Sequence, residues 1–285
     1  MKRIFLTLLT AAVMLVFAGC DKTNDGNGRL VVNITDAPFP VDMVESAEVT
    51  ITKVEIRKAG DGVCDECPFE VLWEGSETFN LLDLRNGVVA ELIDLELVAG
   101  EYDLLRLYVD EASLKVKDGE TYTVKVPSGS QTGIKIFINP GLVVEGGLTT
   151  ELILDFDLSN SFVIQGNMDS PAGIKGFIFK PVIRAANNST AGSLQGIVKD
   201  AAGVALKDVL IEVKQDGAVE SAVEGEEEDP TAMTGEDGKF VILGLPSGVY
   251  SLTAAKTGFK ILEVEEVIIT GGNRKVLDLK LEVAE

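Results

Sequence analysis

The sequence predicts an all-β protein, two β-sandwich domains in tandem behind an amino-terminal signal peptide. Three observations predict it. Short runs rich in Val, Ile, Leu and aromatic residues recur from Arg29 to Leu281, separated by Gly, Asp, Asn and Pro, which is the pattern of many short strands in a sandwich. The pattern lapses once, in AANNSTAGS from Ala185 to Ser193, where polar turn residues mark a domain boundary. Finally, Lys2 and Arg3 precede an uncharged run from Ile4 to Ala18, shorter than the roughly 20 residues that cross a bilayer as a helix. A positive start, a short apolar stretch and small residues before a cleavage point are the three parts of a secretory signal.

Residues 1–19 are therefore expected to be removed, leaving Cys20 first. The ending FAGC, Phe17 to Cys20, resembles the lipobox of bacterial lipoproteins. That resemblance implies that Cys20 is the lipid attachment site, with diacylglycerol on its sulfur and an acyl chain on its amino group. Each buried methylene contributes about 0.8 kcal/mol, so two or three chains anchor where one would not. The expected location is an exported protein held to a membrane by lipid, on the periplasmic or cell-surface face of an outer membrane. Phe17 is bulkier than the aliphatic residue usual at its position.

The chain carries 25 Lys and Arg against 46 Asp and Glu, a net charge of −21, and since residues 1–19 hold two bases and no acid the remainder stands at −23. A surface so acidic repels nucleic acid, which is excluded as a partner. Apolar residues still make up 46% of the chain, too many for a disordered acidic polymer. Histidine is absent, which removes Ser-His-Asp and Cys-His hydrolases, HExxH zinc sites and imidazole switches. The other two cysteines, Cys64 and Cys67, sit in GDGVCDECPF. In an exported protein they are expected to form a disulfide, and closing so short a loop stabilises by only about 2 kcal/mol. A redox C-x-x-C opens a helix after a strand, whereas this one lies among Gly, Asp and Pro. A zinc site would need Asp65, Glu66 or a second chain to complete it. No cofactor or metal is expected.

Residues 20–28 read as a polar, Gly-rich tether. Asp21, Asp25 and Gly26 sketch the opening of a calcium loop, but Thr23 and Val32 stand where ligands are needed. The first domain, 29–185, contains the runs RLVVNIT, AEVTITKVEI, FEVLW, YDLLRLYV, ASLKVK, TYTVKV, GIKIFI, TELILDFDL and GFIFKPVIR. In TELILDFDL, Leu152, Leu154, Phe156 and Leu158 alternate with Asp155 and Asp157, the mark of a half-buried antiparallel strand. Val88 to Leu95 is the one stretch that reads as a short helix. Residues 186–192 form the expected linker, and the second domain, 193–285, contains LQGIVK, VLIEVK, KFVILG, VYSLTAAK, EVEEVIIT and KVLDLKL. The acidic run at 224–229, closed by Pro230, reads as a solvated loop, with calcium capture as the alternative.

In the second region Gly196, Val198, Asp200, Gly203, Leu206 and Val209, then TGEDGKFVILGLPSGVYSL from Thr234 to Leu252, are similar to the carboxypeptidase regulatory-like domain. The resemblance spans Ser193 to Leu281 and implies a transthyretin-like sandwich of about seven strands, typically a non-catalytic accessory unit of surface receptors and secreted enzymes that overlaps in fold with starch-binding-type sandwiches. Physical reasons stand beside it. Asp237-Gly238 suits the positive φ of a tight hairpin, Phe240 and Ile242 alternate into a core, and Pro246 to Gly248 turn the chain before Tyr250. The first region resembles the DUF4382 type of secreted proteins and lipoproteins. The residues that carry this are ITDAPFP (Ile34 to Pro40), NLLDLRNG (Asn80 to Gly87), AGEYDLLRL (Ala99 to Leu107), VPSGSQTGIKI (Val126 to Ile136), DFDLSNSFV (Asp155 to Val163) and FKPVIR (Phe179 to Arg184). The CDEC stretch departs from it as a local insertion, and the resemblance implies fold and location without a reaction.

The function expected from all this is a non-catalytic, membrane-anchored binding or scaffold module whose candidate partner is a glycan or a protein. A fimbrial or matrix subunit that exchanges strands at open edges is the alternative. Trp73 shares a face with Phe69 and Val71, and it and Tyr102, Tyr108 and Tyr122 are expected in the core rather than under a sugar; no ligand residue is nominated. The rival from enzymology is a two-carboxylate glycosidase. Asp155 and Asp157 share a strand face about 7 Å apart, but that face is expected to lie in water, where both acids stay ionised, so no catalytic residue is named.

Overall fold

The computed structural model of the chain describes residues 26–37, 44–60, 68–126, 131–166, 174–217 and 229–284. The expected signal peptide, Cys20, Cys64, Cys67 and residues 224–228 of the acidic run lie outside the described residues. Among the described residues no helix is long and apolar enough to cross a membrane.

Alternating apolar residues make strands almost throughout. The first domain comprises β1 (Asn27–Ala37), β2 (Val44–Lys58), β3 (Phe69–Asn80), a 3-10 turn (Leu81–Leu84), β4 (Ala90–Val98), β5 (Gly100–Val116) and β6 (Thr121–Lys125). It continues with β7 (Ile134–Val144), β8 (Thr149–Asp157), the one-turn helix α1 (Leu158–Ser161), β9 (Phe162–Gly166), β10 (Ile174–Phe179) and β11 (Ile183–Asn187). Eight strands form one hydrogen-bonded path, β3-β2-β5-β7-β11-β8-β1-β4, with β6 paired to β5 and the β9–β10 hairpin separate. The path curls around one core to which β1, β2, β5, β7 and β8 all contribute, including Ile34, Ile51, Leu107, Ile138 and Phe156. The long β2–β5 pair is interrupted by several register shifts, and such bulges bend and twist the strands that carry them.

The second domain is a two-layer sandwich. One sheet joins β12 (Gly192–Lys199) to β15 (Lys239–Leu245), β18 (Arg274–Val276) and β19 (Leu279–Lys280); the other orders β14 (Thr231–Met233), β13 (Leu210–Gln215), β16 (Gly248–Ala255) and β17 (Leu262–Ile269). Leu194, Val198, Phe240 and Ile242 from one layer meet Ile211, Val213, Leu252 and Val267 from the other. A Cβ at Gly196 would stand 1.8 Å from the carbonyl oxygen of Leu277, so only glycine lets β12 pass the carboxy-terminal segment so closely. Gly238 has φ +74° as expected, but its turn joins β14 to β15 in different sheets, so it is an arch between layers and not a hairpin.

Four expectations are corrected. Val88 to Leu95 is not helical: Ala90 onward forms β4 against β1. A register shift opposite Val32 and Asn33 buries Leu92 and Ile93 side by side, and this adjacent pair is what imitates helical spacing. The same device operates in β3, where a shift opposite Val54 and Glu55 buries Leu72, packs Trp73 on the core and leaves Val71 49% exposed, so Val71 does not share their face. The tether ends sooner than expected, because Asn27 and Gly28 pair with Val98 and Leu97; polar side chains say nothing about main-chain pairing. Of the expected linker 186–192 only residues 188–191 form a turn, the rest belonging to β11 and β12, and Ala185, Ala186 and Ala191 are buried. Small side chains carry no visible apolar pattern yet allow close packing.

Each domain has one tyrosine that ties a turn to the core. Tyr102 and Tyr250 are both buried, and their hydroxyls donate to the carbonyl four residues earlier, Val98 and Pro246, each at 2.8 Å. The turns read V-A-G-E-Y and P-S-G-V-Y. Removing a hydroxyl leaves a carbonyl without its partner, so Tyr102→Phe and Tyr250→Phe are each expected to cost about 1 kcal/mol in urea denaturation with no change in circular dichroism. Unchanged stability in both variants would show that the two bonds add nothing.

Candidate functional site

The residues with chemical potential gather where the two domains meet. Arg184 on β11 stands opposite Asp155 on β8, and its guanidinium donates to the Asp155 carboxylate at 2.9 Å. The same group donates across the domain boundary to the carbonyl oxygens of Gly244 (2.9 Å) and Leu243 (3.1 Å) on β15. Both charged side chains are largely enclosed, 14% and 12% exposed. Gly244, with φ +66°, lies so close to β11 that a Cβ would meet that of Ala186 at 2.6 Å. Gly87, after the 3-10 turn, sits against Val241.

This corrects the expectation that Asp155 lies on a solvated sheet face. Burial raises its pKa above the ordinary carboxylate value, opposed by the charge and hydrogen bond of Arg184. The β8 alternation is as expected, with Leu152, Leu154 and Phe156 in the core; what covers the other face is the second domain. Asp157 has a different task. It caps α1, accepting from the Asn160 backbone amide at 3.0 Å and the Asn160 side chain at 3.1 Å.

Beside the clamp lies a cleft of about 740 Å³ walled by both domains. The first domain supplies Asp157, Asn160 and Asn187, and the second supplies Glu212 and Lys214 from the outer face of β13 and Gln215 from its end. Amides and carboxylates of this kind offer donors and acceptors in pairs. A second crevice, about 390 Å³, is also shared between the domains and contains Asp36, Arg85, Asp208 and Glu236. Asp36 is 6% exposed and neither of its carboxyl oxygens has a hydrogen-bond partner. Burial holds its pKa well above the carboxylate value, reinforced by the charge of Asp155 and then of Asp157; Arg85 opposes, as does more weakly the Leu158 backbone N–H, which lies outside hydrogen-bonding geometry. Among the described residues no group of three acids or thiols converges to hold a metal ion.

The aromatic residues considered as sugar platforms are engaged elsewhere. Trp73 and Tyr122 pack on the first core, with Tyr122 edge-on to Phe177. Tyr108 donates to Glu55 at 3.0 Å beneath the Lys53 ammonium, and the Arg106 guanidinium lies 3.8 Å over the Phe69 ring. Burial pushes Glu55 up, but hydrogen bonds from Lys53 and Tyr108 and the Lys53 and Arg106 charges outweigh it and hold the carboxyl below its usual range. Sequence reasoning missed Asp36 and Arg184. The signal was present as polar residues at the ends of strong strands, ITDAPFP and FKPVIR.

Two outcomes follow. Arg184→Met leaves Asp155 as an uncompensated buried charge and is expected to cost about 3–5 kcal/mol in chemical denaturation, with Asp155→Leu on the same chain recovering most of it. An equal loss in the double variant would mean that the guanidinium contacts to β15, not the charge pair, dominate. For Asp36 the folded pKa exceeds the unfolded one, so the folded chain holds a proton that the unfolded chain releases. Stability therefore falls as pH rises from the unfolded carboxylate range, about 4, through the folded value, and is level beyond it. Asp36→Asn is expected to remove that slope and to melt higher than wild type at neutral pH, with the difference vanishing below about pH 4. Parallel melting curves across pH would contradict this.

Comparison with known proteins covers both domains. The family model "Domain of unknown function (DUF4382)" matches residues 27–181 and the carboxypeptidase regulatory-like domain matches residues 193–282. No curated protein matches the chain. Among solved structures, 3-chlorocatechol 1,2-dioxygenase from Rhodococcus opacus is 13% identical, with 34% of this chain and 61% of that one covered and a TM-score of 0.28. The dioxygenase domain of a dioxygenase carbohydrate-binding protein fusion from Streptomyces sp. SirexAA-E is 19% identical, covering 34% and 82%, with a TM-score of 0.27. A candidate carbohydrate-binding protein from Bacteroides uniformis is 18% identical, covering 32% and 40%, with a TM-score of 0.26. The chain thus spans less than two thirds of the first and third of these, and at such scores the likeness carries no chemical argument. With its larger domain matched from Asn27 to Pro181, more than half its length, the chain belongs to the DUF4382 family and carries a carboxypeptidase regulatory-like domain behind it.

Proposed function

We propose that the protein is a non-catalytic binding module of the bacterial envelope, anchored through lipid on Cys20, and that the cleft between its domains takes a hydroxyl-rich ligand, a glycan. The observation that carries this reading is the cleft itself, about 740 Å³, within the size range of sites that enclose small ligands. Its walls present Asn160, Asn187, Glu212 and Gln215, planar groups that match pairs of neighbouring hydroxyls. The anchor rests on the leader and FAGC.

A binding role also agrees with how the acids at the cleft are used. Without histidine, proton transfer near neutrality would fall to a carboxylate or lysine shifted by burial. Asp155, the buried acid of the pair on β8, is tied to Arg184, and Asp157 is occupied as a helix cap. Neither is poised beside an activated nucleophile.

A glycan array probed with residues 26–285, followed by calorimetry on the hits, is expected to give at least one ligand and no turnover. Glu212→Ala, on the outer face of β13, and Gln215→Ala, at its end, should each weaken it by about tenfold while leaving the melting transition unchanged. A ligand unaffected by both changes would move the site away from the cleft, and an array without hits would remove the glycan. Separately, Cys20→Ser is expected to shift the protein from the membrane to the soluble fraction of the cell; unchanged membrane retention would end the lipid assignment.

A further inference from the structure

The crevice around Asp36 is distinct from the glycan cleft and does not rest on that reading; only Thr231 lines both. Asp36 lines it with both carboxyl oxygens buried and without partners, a rare condition in folded proteins that calls for a reason. Three further carboxylates, Asp83, Asp208 and Glu236, stand in the same walls. Arg85 is the positive group among them, and its Nε donates to the Leu82 carbonyl at 2.6 Å. Lys207 is held at the outside, 3.2 Å from Glu236 and 3.6 Å from Asp208.

We propose that this crevice binds an alkylammonium group, with the Asp36 carboxylate as its buried counter-ion. Asp83, Asp208 and Glu236 outnumber Arg85 and Lys207, a balance that repels anions and favours cations. A bare metal ion would need several ligands converging on one point, and among the described residues no three acids do so, so the cation must bring its own body. An ammonium is a compact charge on a thin, flexible stem, able to enter a space of about 390 Å³ that Asp36 lines and to pair with its carboxyl, closed in the free protein, once that group turns to meet it. Binding has a proton balance. Burial favours the neutral acid, so pairing with R–NH₃⁺ converts Asp36–COOH to Asp36–COO⁻ and releases one proton to the buffer. The charged groups that face Asp36 are Asp155 and Asp157 from β8 and Arg85 after the 3-10 turn, with Asp83, Asp208 and Glu236 in the crevice walls.

The test is calorimetric titration of the full mature chain with cadaverine, and with the capped peptide acetyl-Gly-Lys-Gly-amide, in two buffers of different ionisation enthalpy. The expected result is saturable binding of at least one probe, with proton release. Affinity should rise from about pH 5 to about pH 8 and fall more than about tenfold in Asp36→Asn. Binding of cadaverine alone would identify a free amine as the ligand class, and binding of the peptide alone would identify a lysine side chain of a protein partner; either supports the site. Glu236→Gln, at the exposed rim, should weaken binding by only about twofold and so separates the buried acid from general surface charge. The proposal is overturned if neither probe binds, if wild type releases no proton on binding, or if Asp36→Asn binds as wild type does.

Discussion

A guanidinium enclosed between two domains must find partners for its donors or lose more than it gains, because stripping charge of water is costly unless geometry restores every contact. Arg184 meets that condition with one carboxylate from its own domain and two carbonyls from the next. The carbonyls belong to β15, whose other residues hold the second core, so the clamp fixes that strand relative to β8 and β11. Both shared spaces follow from it. The larger cleft has walls on β13 and α1 that would not face each other without the clamp, and the crevice exists because the turn Leu81–Leu84 is brought against β14. Close approach at Gly244 and Ala186 adds dispersion contacts that are individually tiny and collectively useful.

How much of this could be read in the sequence depends on whether the relevant constraint is local. Alternation in β8 and β15 is local, and Leu154, Phe156, Phe240 and Ile242 lie in the cores where period 2 puts them. Bulges are not written in side chains. Leu92 with Ile93, and Leu72 with Trp73, are adjacent apolar pairs whose meaning depends on a partner strand. The three-residue β14 and the five-residue β9 are too short to show a period. The seam was the least legible part, since the solvated face inferred for Asp155 and Asp157 was inferred from one domain at a time. A residue's environment is set by whatever covers it, and the coverage here comes from Leu243 and Gly244, in the other domain.

The two tyrosines make a related point about convergence. Tyr102 follows a chain that leaves β4 and enters β5, while Tyr250 follows one that crosses from one sheet of the sandwich to the other. The surroundings differ but the solution is the same: a glycine within the turn and, two residues after it, a phenol that fills the core and returns its hydroxyl to the backbone. The ring supplies apolar burial and the hydroxyl satisfies a carbonyl that strand pairing has left over.

The early start of β1 has a geometric meaning of its own. Six residues separate Cys20 from Asn27, a leash of at most about 25 Å. Asp36 lies nine positions beyond Asn27 on the same strand, about 30 Å further at the rise of a strand, beside the Arg184 clamp at the opposite end. Under the lipid anchor proposed above, the foot of the first strand would stay within that leash of the headgroups, while the shared spaces lie at the far end of the same strand.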